Sequence, residues 1–287
     1  KSADIERSLL LDGQLPFAEA NHLQFYRVWT NVHDEIRMDN RGHELRPEQT
    51  EAPRWQEQYF RDIEGFYGQP FAFYFTAGKH TLTLVSQREP VVIRQLQLHQ
   101  YEQPPAYEQA LMRWEAQGLS RTDGHHIIVQ GEDASAKSSP TLYPLADRSS
   151  PNVEPYSPSH IRINSIGGYN WRMPGQWIEW EIEIPESGLY KMAFQAKQDF
   201  RRGISSTRKL TINGKVPFQE AEEIIFPYES GFQPITIGGD EPYLFALEKG
   251  KNVLRLEVYL GHLAPLIREG ETSLLNINAM YRKVLMI

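Results

Sequence analysis

The sequence predicts a mainly β fold: tandem β-sandwiches joined by a short helical connector, the first sandwich incomplete in this chain. Three observations predict it. An internal repeat is made of strand and turn devices, several segments alternate strictly between apolar and polar residues, and one short stretch between the repeats has helical periodicity.

The repeat comes first because its period sets the fold. Residues 7–20 (RSLLLDGQLPFAEA) align with residues 208–221 (RKLTINGKVPFQEA), identical at 7 of 14 positions. A second block follows in the same order: residues 70–84 (PFAFYFTAGKHTLTL) match residues 242–256 (PYLFALEKGKNVLRL) at 6 of 15. Two ordered matches identify two related domains. Asp12-Gly13 and Asn213-Gly214 are pairs that tolerate positive φ, as tight hairpin turns require. Gly78-Lys79 and Gly250-Lys251 precede strands in which Leu82 and Leu84, or Leu254, Leu256 and Val258, share one face.

The elements follow along the chain. The first copy has six residues before Arg7, too few to supply strands that pair with its hairpin. The visible chain is therefore expected to begin inside a domain, its other half lying upstream or in another chain. A long connection runs from Arg27 to Gly68, with a loop from Asp39 to Pro53. Trp55–Ile63 (WQEQYFRDI) reads as a short helix with Trp55, Tyr59 and Phe60 inward. Pro105–Gly118 carries Tyr107, Leu111 and Trp114 at i, i+4, i+7, a helical connector closed by Gly118. Trp177–Ile184 (WIEWEIEI) alternates, with Ile178, Trp180, Ile182 and Ile184 on one side. A turn at Pro185–Gly188 leads to a second alternating strand, Leu189–Ala196. The second copy spans Phe226–Glu241 with a Pro- and Gly-rich connection. Thr272–Ile287 is apolar at helical spacing. The domains expected are 1–99, the later part of a first sandwich with a long inserted loop; 100–120, the connector; 121–266, a complete second sandwich; and 267–287, the start of a following helical segment.

Composition narrows the function classes. Thirty Lys and Arg against 37 Asp and Glu give a net charge of −7, which argues against nucleic acid or an anionic membrane surface as the main partner. The absence of cysteine removes disulfides, thiolate metal sites and cysteine nucleophiles. No apolar run reaches the length of a membrane-spanning helix, and Lys1–Arg7 holds no signal-peptide core. No HExxH, EF-hand loop, phosphate-binding glycine loop or Gly-x-Ser-x-Gly elbow occurs.

Two constellations remain. Glu179, Glu181 and Glu183 share one strand face at intervals of about 6.6–6.8 Å. That is close to the carboxylate separation of inverting glycosidases. A solvated, charged face explains them more simply, so no catalytic residue is assigned. The loop Ile166–Gln176 collects Tyr169, Asn170, Trp171 and Arg172, with Trp177 beyond it. Aromatic rings stack on the apolar faces of sugars while Asn and Arg bond hydroxyls. Equally, Trp171 would serve as a lid on the sandwich.

Several of these segments resemble one family. Val129–Ala134 (VQGEDA), Gly167-Gly168, Pro174–Tyr190, Lys209–Lys215 (KLTINGK) and Leu247–Leu256 (LEKGKNVLRL) together resemble the carbohydrate-binding modules of families six and thirty-five, which are galactose-binding-like jelly-roll sandwiches. The match covers about residues 127–260, and residues 7–98 match only its second half. The resemblance implies a non-catalytic sugar-binding module, with Tyr169, Asn170 and Trp171 in a loop that would reach one of its ligand sites; with Arg172 and Trp177 from the loop's own composition, these are the candidate ligand residues. It also implies a structural calcium at Gln130 and Glu132, although Gln130 stands where the family has an acid and so lowers the ligand charge. The family's closing strand is replaced by Val258–Pro265 (VYLGHLAP). Glu48–Trp55, Ser86–Ile93, Lys137–Pro151 and Ala279–Ile287 are similar to large extracellular solute-binding proteins of Gram-positive carbohydrate importers, which carry tandem modules of this kind.

The resulting expectation is a non-enzymatic, extracellular, cell-surface region of an oligosaccharide-uptake protein. Its partners would be an oligosaccharide or polysaccharide and neighbouring domains of the same parent protein, with neither nucleic acid nor membrane insertion. The alternatives are a sugar-binding module of a glycosidase or lyase, and a spacer without ligand.

Overall fold

The computed structural model describes residues 4–122 and 124–285. It is mainly β. In chain order the elements are β1 (Ile5–Leu11), β2 (Leu23–Phe25), β3 (Trp29–Asn31), β4 (Gln49–Glu51), β5 (Leu82–Arg88), α1 (Tyr107–Ala116), β6 (Ala136–Lys137), β7 (Pro144–Leu145), β8 (Ser165–Ile166), β9 (Trp177–Ile184), β10 (Gly188–Lys191), β11 (Ala193–Gln198), β12 (Ser206–Ile212), β13 (Ile224–Phe226), β14 (Glu229–Thr236), β15 (Leu244–Leu247), β16 (Gly250–Val258) and α2 (Leu263–Leu285). Every strand pairing between them is antiparallel.

The chain forms two compact units. The smaller comprises the chain up to Phe25, Glu57–Leu96 and the stretch from Tyr259 onward. Its sheet has the order β2-β1-β5. Leu9, Ala20 and Leu23 are buried, and Phe17, Phe25, Phe60, Phe71, Phe73, Leu82 and Leu84 pack around them. The segment expected as a helix over Trp55–Ile63 is irregular. Trp55 is 65% exposed and Tyr59 48%; only Phe60 turns inward, edge-on to Phe25 and Phe73. Asp62 then closes a turn by accepting from the backbone N–H groups of Glu64, Phe66 and Tyr67.

The larger unit comprises Tyr26–Gln56 and Gln97–Val258. One layer is a seven-stranded sheet, β13-β12-β16-β9-β6-β3-β4; the other is built from the β10-β15 and β11-β14 pairs. The principal core lies between them. Ile182, Ile184, Leu210, Ile212 and Leu256 from the large sheet meet Leu189, Tyr190, Leu244, Phe245 and Leu247 from the facing strands, around Phe218. The alternation of β9 places Ile178, Ile182 and Ile184 inward as the sequence predicts. The α1 helix also follows its periodicity, and Ala110 and Trp114 are buried in this core. The Pro- and Gly-rich connection after Phe226 contains a full strand, β14, in which Pro234 faces Gln195.

β3 and β4 lie inside what the sequence reads as a connecting loop, yet they extend the large sheet. β3 joins β6 through Trp29 and Lys137, and Arg27 bonds Glu51 at 2.6 Å. Lys137 is fully buried, and its ammonium donates to Asn31 Oδ1 at 2.7 Å. Burial pushes its pKa down to about 8.

Candidate functional site

The loop between β8 and β9 is shaped by two glycines. Gly167 has φ 101°, and a Cβ there would lie 2.8 Å from the Trp171 ring. After this turn a single 3-10 turn, Gly168–Asn170, is closed by Trp171 N–H donating to Gly168 O. The Gln176 side chain ties the far end by accepting from the backbone N–H groups of Arg172 and Met173. The indole N–H of Trp171 donates to Gln176 O at 3.1 Å. The loop is thus bonded to itself along its length.

This places the predicted residues in different environments. Trp171 is half-buried and packs against the buried cluster of Ala134, Leu142 and Ile178, as a lid on the sandwich would. The Arg208 guanidinium lies 4.3 Å over its ring and donates to Trp171 O and Thr207 O. Arg208 Nε is buried without a partner, and burial pushes the pKa of this guanidinium down to about 10. Trp177 is 1% exposed, among Val28 and Ala136, with the Arg255 guanidinium 4.1 Å over its ring. It has no face for a ligand; the expectation that it lines a site is corrected to a core role. Asn170 is half-buried. Tyr169 is 57% exposed, and Arg172 stacks 3.7 Å over its ring.

A residue not foreseen joins Tyr169. Phe200, 47% exposed, brings its ring to 5.5 Å from the Tyr169 ring. It sits in the turn between β11 and β12, beside Arg201 and Arg202, and its N–H is held by Gln198 Oε1 at 2.8 Å. The two exposed rings and Arg172 form a small aromatic and cationic surface, with the exposed Arg201 and Arg202 next to Phe200 in sequence. The cue in the sequence was the run Phe200-Arg-Arg-Gly203, an aromatic in a turn where polar residues are usual.

Glu132 is 6% exposed within the one-turn helix Gly131–Asp133, and Gln130 is half-buried before it. Burial, with lesser contributions from the Asp133 and Glu44 carboxylates, pushes Glu132 up to about 7. Its Oε2 is buried without a hydrogen-bond partner, which suits a cation. Calcium takes six to eight oxygens, however. Among the described residues no group of three or more His, Cys, Asp or Glu could hold a metal ion. What the structure shows open to a cation here is the unpartnered Glu132 Oε2.

The acidic face of β9 is not uniformly solvated. Glu181 is exposed and pairs with Lys251 at 2.5 Å, but Glu179 is 4% exposed. Both Glu179 oxygens are taken by guanidinium groups, Oε1 by Arg255 and Oε2 by Arg54. A buried carboxylate held by three guanidinium donors from two arginines serves structure in this arrangement.

No helix among the described residues is long and apolar enough to cross a membrane. No protein-family model matches the chain, and no curated protein matches it. Among solved structures, the chain is similar to a native family 35 carbohydrate-binding module from Clostridium thermocellum, at 19% identity and TM-score 0.33, over 46% of this chain and 85% of that one. It is also similar to the Podospora anserina GH26-CBM35 β-(1,4)-mannanase, at 14% identity and TM-score 0.32, over 46% of this chain and 24% of that one. A ruminal GH26 endo-β-1,4-mannanase matches at 13% identity and TM-score 0.30, over 48% of this chain and 24% of that one. The chain thus spans about a quarter of the length of each mannanase.

Proposed function

We propose that the chain is a non-catalytic glycan-binding region, seating a sugar against the exposed rings of Tyr169 and Phe200. In this reading it works outside the cell as an accessory part of a solute-binding protein for oligosaccharide uptake. One observation carries the binding role: two exposed aromatic rings from different loops meet at 5.5 Å, Tyr169 under Arg172 on the self-bonded loop before β9 and Phe200 on the turn between β11 and β12. Such a platform offers apolar ring faces and fixed donors with little ordering cost on binding. The uptake context rests on the sequence resemblance alone. Calcium enters only as a ligand of Glu132 Oε2, with Gln130 beside it.

Glycan-array screening followed by calorimetry tests the reading. Tyr169→Ala and Phe200→Ala are expected to weaken sugar binding at least about tenfold, equivalent to one lost ring stack, with little change in Tm. Trp171→Ala is expected to lower Tm instead. Calcium is expected to raise the Tm of the native chain more than that of Glu132→Gln. Absence of sugar binding at millimolar concentration would leave the spacer reading, and a glycosidase or lyase domain in the parent polypeptide would replace the uptake context. Equal calcium shifts in the two chains would remove the metal.

A further inference from the structure

The two repeats differ at one strand edge. β5 and β16 are counterparts: Leu84 faces Leu9 as Leu256 faces Leu210. β16 is an inner strand, with β12 along one edge and β9 along the other, in register from Gly250 opposite Ile184 to Glu257 opposite Trp177. β5 has β1 along one edge and, among the described residues, no strand along the other.

The peptide groups on that edge can be assigned. Asp12 N–H donates to Thr81 O, and Thr81 N–H donates to the Asp12 carboxylate, both at 2.8 Å. Thr81 therefore turns its peptide groups towards β1, and by alternation so do Thr83 and Val85. Leu82 and Leu84 turn theirs outward. Their counterparts Leu254 and Leu256, with Val258, face the β9 side. The Val258 N–H donates to Gln176 O, and its carbonyl accepts from Gly175.

We propose that the outer edge of β5 takes a partner strand: an extended, antiparallel segment in which apolar side chains alternate with carboxylates. The larger unit supplies the template, because its repeat seats a strand of that chemistry, β9 (WIEWEIEI), on the equivalent edge. Charge agrees. Lys79 is exposed at the position of Lys251, whose ammonium pairs with Glu181 of β9 at 2.5 Å. Burial agrees as well. Leu84 is half-buried where Leu256 is 4% exposed, and Val85 is 40% exposed where Glu257 is 7%. Strand addition to an open sheet edge gains affinity from the main chain and specificity from alternate side chains.

A peptide with the β9 sequence, residues 176–185 (QWIEWEIEIP), serves as the probe against the full chain. Saturable binding is expected, weakened about threefold or more by Lys79→Glu through the lost charge pair. Hydrogen exchange reads the edge independently of any variant. In the free chain the amides of Leu82 and Leu84 are expected to exchange faster than those of Thr83 and Val85, and bound peptide to slow them about tenfold or more. Three results would overturn the proposal: Leu82 and Leu84 already protected in the free chain, equal binding of a peptide with Lys at every Glu, or self-association of the chain through β5 with no peptide bound.

Discussion

The two repeats carry the same hairpin in different surroundings. Asp12 and Asn213 both have φ 51°, and Gly13 and Gly214 both have φ 79°. The residues entering the following 3-10 turns, Phe17 and Phe218, have φ −162° and −161°. Each hairpin strand pairs with its later partner in the same register. A bond from Asp12 N–H to Thr81 O has its twin from Asn213 N–H to Val253 O, both 2.8 Å. Burial is what separates the copies. Phe218 is fully buried, ringed by Tyr107, Trp114, Tyr243 and Phe245, whereas Phe17 is half-buried against Phe71 and Phe73. The backbone of such a hairpin is thus a local property of its sequence, and its energetic weight is set by what packs on it.

Truncating the two phenylalanines would break that comparison most visibly. Phe218→Ala removes a buried ring from the centre of the larger core and is expected to cost about 3–5 kcal/mol. Phe17→Ala removes a ring that water already reaches and is expected to cost about 1–2 kcal/mol. Denaturant unfolding of both variants measures the difference. Equal losses would mean that the hairpins are equally buried and that the half-exposure of Phe17 is misread.

The parts of the fold that are local were legible in the sequence. Asp12-Gly13 and Asn213-Gly214 named the turns because few residue pairs accept those dihedrals. β9 announced itself through eight residues of period two, and α1 through Tyr107, Leu111 and Trp114. What pairs with what at long range was not legible. β3 and β4 are three residues each, too short to show a period, and their place in the large sheet depends on Trp29 meeting Lys137 across more than 100 residues. The same segment explains the burial of Trp177 and Glu179. Arg54 comes from it to cover Glu179, and Val28 comes from it to cover Trp177. Without that excursion both would stand on an open sheet face, as the alternation alone implies. Tyr169 stands out in the sequence by its aromatic-rich loop, whereas its neighbour Phe200 becomes visible only once the turn between β11 and β12 lies alongside it.

The cluster around Glu179 sharpens the comparison at the next strand. In the larger unit β16 contributes Arg255, bonded to Glu179; the counterpart in β5 is the exposed Thr83. Glu179→Ala strips two guanidinium groups of their shared carboxylate and is expected to cost about 3 kcal/mol, as for other broken buried pairs. Arg255→Thr installs the residue of the first copy. It is expected to cost less, because Arg54 still reaches the carboxylate. In the double variant the losses should fall short of their sum, the signature of residues sharing one network. Simple additivity in thermal or denaturant unfolding would mean that Arg255 and Glu179 act independently.

The smallest expected effect separates the hairpins by pH. In the second copy Asn213 Nδ2 donates to Asn252 Oδ1 at 3.0 Å, and Asn252 Nδ2 donates to Glu248 O at 2.6 Å. The first copy has Asp12 and His80 at those places: His80 Nδ1 meets the Asp12 carboxylate at 2.7 Å and Nε2 meets Thr76 O at 2.9 Å. An imidazolium donates through both nitrogens, so this version of the bond runs on a proton that the amide version does not need. The Asp12 carboxylate and then Thr76 O raise the pKa of His80; the bond from His80 and then the Thr81 N–H lower that of Asp12. The signs follow from linkage. The contribution of His80 is complete below its unfolded value of about 6.5 and is lost as pH rises through the higher folded value. The contribution of Asp12 is present above its unfolded value of about 3.9 and is lost as pH falls through the lower folded value. Amide exchange at Thr81 should therefore quicken on the alkaline side of the His80 titration, while exchange at Val253, its counterpart, stays level apart from the intrinsic dependence on hydroxide. Asp12→Asn with His80→Asn should give the first hairpin the flat profile of the second. Matching profiles in the native chain would show that the Asp12–His80 bond does not depend on the charge of the imidazole.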